Sequence, residues 1–68
     1  MDSVEMEILA VAAATDAFYQ CAALFNAAVA AHEAGDTALA ERLGAQAREA
    51  ERAARKHKRR ALQLARMS

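Results

Sequence analysis

One break interrupts an otherwise helix-compatible chain. The 68 residues contain no proline, and only two glycines, Gly35 and Gly44. Proline is the residue a helix interior excludes most strongly. Alanine, the best helix former, supplies 21 positions. The pattern stops at the stretch AGDT, residues 34–37. Gly35 suits the left-handed position just past a helix end, and Asp36 suits the N-cap of a second helix. Asp2 or Ser3 can cap the first helix, with Glu5 three residues after Asp2 in capping-box spacing. The sequence therefore predicts an all-α fold and one domain over residues 1–68. Helix 1 runs over about residues 3–34, a turn follows at 35–36, and helix 2 runs over about residues 37–66, as an antiparallel αα-hairpin.

Two stripes with heptad spacing run along helix 1. The bulky one is Val4, Ile8, Val11, Thr15, Phe18, Ala22, Phe25, Val29 and His32. The other is mostly small: Met6, Ala10, Ala13, Ala17, Cys21, Leu24, Ala28 and Ala31. Helix 2 has one inward seam: Ala40, Leu43, Ala47, Ala50, Ala54, His57, Ala61 and Leu64. The expectation is that the bulky stripe of helix 1 packs over this flat alanine surface. One neighbour cannot cover both stripes of helix 1, and a lone hairpin has little core. A homodimer forming a four-helix bundle is the simplest remedy. Its core would be Ile8, Val11, Phe18, Phe25, Val29, Leu43 and Leu64. Met6, Cys21 and Leu24 would supply a second contact stripe. A higher oligomer or a hairpin docked on a different protein are the alternatives.

Charge divides the chain. Residues 1–34 hold five acidic side chains and no Lys or Arg, whereas residues 35–68 hold nine basic and four acidic ones. Net charge is zero. Within ERAARKHKRRAL, residues 51–62, seven of twelve side chains are Arg, Lys or His. A helical wheel places Arg48, Arg52, Arg55, Arg59 and Arg66 on one stripe away from the alanine seam. Such a row can follow phosphates or meet an acidic partner. It is also the ordinary solvated face of a helix. Glu49 and Glu51 can pair with Arg52 and Arg55, and Glu5 and Glu7 with Arg66 or Arg60 across the hairpin. Helix 2 has no aromatic residue for stacking on bases.

No catalytic constellation appears: no nucleophile beside a base, no paired carboxylates, no glycine-rich phosphate loop. The lone Cys21 reads as a small buried hydrophobe, and His57 and His32 as boundary residues rather than metal ligands. Neither cofactor nor metal is expected. The acidic N-terminus lacks the basic region of a signal peptide, and the uncharged run from Ala17 to Ala31 is short for a bilayer span. A cytoplasmic location without membrane contact is expected.

Two resemblances bear on this plan. Around the turn, Gly35, Asp36, Ala40 and Ala47 resemble the turn of a tetratricopeptide unit, without its aromatic positions or closing proline. In plan, a dimer of helical hairpins resembles small plasmid-encoded RNA-binding proteins, with no shared motif to carry residues over. The first functional expectation is a non-enzymatic, self-associating protein-protein interaction module acting as an adaptor or regulator. The alternatives are a nucleic-acid-binding regulator using the arginine stripe, or an accessory subunit of a larger assembly.

Overall fold

The computed structural model describes residues 2–67. Two helices, α1 (Ser3–Glu33) and α2 (Thr37–Met67), each have 31 residues. They fold back on each other as a rod 50 Å long. No strand occurs among the described residues.

Each helix end satisfies its own backbone. Asp2 is the N-cap of α1, its carboxylate accepting from the Glu5 N–H at 2.8 Å. At the far end the Gly35 N–H donates to the His32 carbonyl, and the Asp36 N–H to the Ala31 carbonyl. Gly35 has φ +81°, which an L side chain adopts only with strain. Asp36 then caps α2 by accepting from the Leu39 N–H at 3.1 Å. Three residues thus reverse the chain and leave few backbone groups without partners.

The turn also decides which faces meet. Ala31, buried one turn before it, belongs to the small-residue stripe of α1. Going back along the helix, Cys21, Ala17, Ala14 and Ala10 are buried as well, with Leu24, Ala28, Ala13 and Met6 half-buried. Against them α2 sets Ala47, Ala54, Ala61 and Leu64, all buried. Leu43, Ala50 and His57 on the same seam are half-buried. The α2 seam is the one expected. The α1 seam is not: the bulky stripe was expected to cover the alanines of α2, and the small stripe covers them instead. Met6, Cys21 and Leu24, expected as a second, outer contact, lie on the inner seam. The physical reason is close approach. Alanine on both helices lets the axes come to about 8 Å, a separation that Phe and Val side chains would prevent.

The resulting core is thin. Ala47 and Ala54 are fully buried, but the one large side chain with almost no exposure is Leu64, at 2%. It packs with Ala10, Ala61 and Met6 at the end far from the turn.

The alanine seam gives a direct test. Ala54→Leu should destabilise the protein by about 1–3 kcal/mol through overpacking. Ala53→Leu, on the exposed neighbouring position, should leave the urea midpoint within error of the parent.

Candidate interaction surface

With the small stripe turned inward, the bulky stripe of α1 faces out. Val4, Ile8, Val11 and Val29 are each at least half exposed. Phe18 and Phe25 keep 43% and 39% of their surface. Thr15 joins them as an apolar residue, because its hydroxyl donates to the Val11 carbonyl of its own helix at 3.0 Å. Of the residues expected in an oligomer core, Ile8, Val11, Phe18, Phe25 and Val29 therefore form one continuous outer face. Leu43 and Leu64 do not join them, since both lie in the hairpin's own seam.

The arginine row is exposed throughout. It lies closer to the apolar face than expected. Arg55 and Arg59 line an open groove together with Phe18, Lys58 and Leu62. Arg48, Glu51, Arg52 and Arg55 line a second shallow groove, and Arg59, Leu62, Gln63 and Arg66 a third. The row is thus the shoulder of the apolar face rather than a separate surface. Leu62 and Lys58 were not singled out from the sequence. The available signal was the seven-residue step from Arg55 to Leu62, which keeps both on one side of α2.

Among the described residues one ion pair forms, Arg55 to Glu51 at 2.6 Å. The cross-hairpin pairs expected between Glu5 or Glu7 and Arg66 or Arg60 are not made. Glu5 lies on the outer strip of α1, turned away from α2, and Arg60 stands six residues from its level along the rod. The acidic and basic halves therefore do not neutralise each other within one hairpin.

The remaining candidates fall as follows. Cys21 is a free thiol buried in the seam. His57 is half-buried on that seam, and His32 is exposed in the last turn of α1. Tyr19 is 74% exposed beside Phe18, and with Thr15 and Ala22 the two rings border a shallow depression. Leu9 is exposed on the outer strip; we have no physical account of it. No group of three or more His, Cys, Asp or Glu side chains among the described residues could hold a metal ion.

Membrane length requires a correction. By length and composition α1 could cross a bilayer, with an 18-residue stretch of mean hydropathy 1.6. The fifteen-residue uncharged run underestimates it, because the apolar stretch can extend past Asp16.

No family model matches the chain, and searches of curated proteins and of solved structures likewise found no match.

The Arg55–Glu51 pair is a surface contact between adjacent turns of one helix. Arg55→Ala should therefore cost only about 0.3–0.5 kcal/mol, read as a small shift in thermal midpoint that shrinks further in high salt.

Proposed function

We propose that the protein is a non-enzymatic helical interaction module. It self-associates through the outer face of α1 into a four-helix bundle, and in that form binds another protein as an adaptor or regulator. One observation carries this reading: Ile8, Val11, Phe18, Phe25 and Val29 are exposed together along the length of one helix. Monomers rarely leave so long an apolar face in water. Covering the exposed part of these five side chains contributes about 1 kcal/mol each, hence on the order of 10 kcal/mol for two copies. A hairpin whose interior is mainly alanine lacks that stabilisation by itself.

The composition of both helices favours a protein partner over a bilayer for this face. Asp16 lies in the middle of α1, where a bilayer would charge about 2.5–3.5 kcal/mol for it. The partner helix α2 carries nine Lys and Arg residues. The grooves on the surface are open and shallow, which suits side chains of a macromolecule better than an enclosed substrate.

A second reading rests on a separate observation. Among the described residues Arg48, Arg52, Arg59 and Arg66 make no ion pair, and they stand in an exposed row. Such a row suits phosphate contacts, in a nucleic-acid-binding regulator. It predicts a mobility shift with RNA or DNA at about 50 mM salt that disappears when Arg52, Arg55 and Arg59 become Glu. No shift under those conditions would remove it.

For the first reading, sedimentation should give a mass of at least twice 7.3 kDa. Phe18→Asp should abolish the oligomer. A stable, folded wild-type monomer would overturn self-association and assign the face to a foreign partner.

A further inference from the structure

Leu62 stands where the arginine row would place another cation. Arg48, Arg52, Arg55, Arg59, Leu62 and Arg66 follow one another at steps of four, three, four, three and four residues. At 3.6 residues per turn that spacing makes one straight stripe along α2, about 27 Å long. Leu62 is 49% exposed there and takes no part in the alanine seam. A solvated face and a track of phosphates both work through charge, so neither accounts for a leucine at this place. Nor is Leu62 isolated among the cations. Phe18 of α1 lines the same groove, with Arg55, Lys58 and Arg59, and a second groove continues past Leu62 to Arg66.

This side of the hairpin also carries carboxylates. Glu51 is bonded to Arg55 at 2.6 Å, and Glu7 is half-buried on α1. Neither lines the two grooves around Leu62. The ground there is apolar at its centre, through Leu62 and Phe18, and cationic at its rim. An apolar centre with a charged rim is the plan of a protein interface.

We propose that these grooves take an acidic amphipathic helix of a partner protein, lying along the stripe. One large apolar side chain of that helix packs on Leu62 and Phe18. Carboxylates one turn to either side of it meet Arg55 and Arg59 in one direction and Arg66 in the other. From Arg55 to Arg66 is about 16 Å, three turns of such a helix. This inference rests on the reading of the protein as an interaction module and names the chemistry of its partner. Both grooves are lined by a single chain, so the site needs only one hairpin. Phe18 stands between them and the depression bordered by Thr15, Tyr19 and Ala22. A second copy on that side of α1 can therefore share Phe18 with a helix on the α2 side.

Calorimetric titration with a synthetic peptide tests the site. The probe is an alanine-rich peptide of about 18 residues, long enough to be partly helical alone. It carries leucines on two successive turns and glutamates one turn to either side of them. Binding should be saturable in the sub-millimolar range. Replacing every glutamate of the peptide by glutamine should weaken it about tenfold. Leu62→Ala and Arg59→Ala, both at exposed positions, should leave the circular dichroism unchanged and each weaken binding about three- to fivefold. Arg60→Ala removes the same charge about 160° around α2 from Leu62 and should leave binding as in the parent. Equal losses from Arg59→Ala and Arg60→Ala would mean attraction by net charge alone and would overturn the site. So would a peptide that binds Leu62→Ala as tightly as the parent, or one that does not bind. Duplex RNA or DNA bound equally by the parent and Leu62→Ala, with no peptide bound, would assign the row to phosphates instead. A wild-type monomer that binds the peptide would overturn self-association and support the site. A dimer that ignores the peptide would do the reverse.

Discussion

Ala47 and Ala54 lose all of their exposed surface against α1, and the rest of the molecule follows from that contact. Alanine brings two helices together at low cost, because it has no side-chain rotamers to lose. It also contributes little, because each methyl buries little apolar area. A seam built this way fixes the geometry of a hairpin without supplying a large core. The bulky residues of α1 cannot enter the seam without prising the helices apart. They must lie elsewhere, and they lie on the outside.

The charge distribution fits the same division. α2 is amphipathic in the ordinary sense, with alanines and Leu64 inward and its cations outward. α1 is apolar around most of its circumference, and Glu5 and Asp16 occupy a narrow strip. The acidic strip of α1 and the basic row of α2 thus lie on different sides of the hairpin. The Arg55–Glu51 pair is local to one helix and adds only tenths of a kcal/mol. The arginine row keeps most of its charge available for contacts beyond the hairpin.

Much of the fold was legible in the sequence because its signals are local. Absence of proline, Asp2 as a cap, Gly35 past the helix end and Asp36 as the next cap each act within a few residues. They placed the helix ends to within about one residue. The single seam of α2 was also readable, since only one face of that helix is apolar. The pairing of α1 was not, because two stripes share the same heptad spacing and hydrophobicity favours the wrong one. Ala31 held the answer. Its carbonyl accepts from Asp36, which turns its face toward the returning helix, and the small stripe is the one that includes it. The candidate surface was legible as a set of residues, Phe18 and Phe25 among them, but not as an outer face shouldered by Arg55 and Leu62. That juxtaposition depends on how the two helices are rotated against each other.

An alanine seam with a seven-residue repeat has a further property. Ala47, Ala54 and Ala61 are interchangeable, so sliding α2 by one heptad would lay alanine on alanine again. In the middle of the rod only the half-buried Leu43, Ala50 and His57, which differ from one heptad to the next, resist such a slip. The turn at Ala34–Asp36 and the cluster of Leu64 with Met6 and Ala10 act as the two end stops. Length of the turn, rather than strength of the seam, therefore decides which residues of the two helices stand side by side. Extra residues there would free the hairpin to shift its phase while keeping every alanine contact except those at the ends.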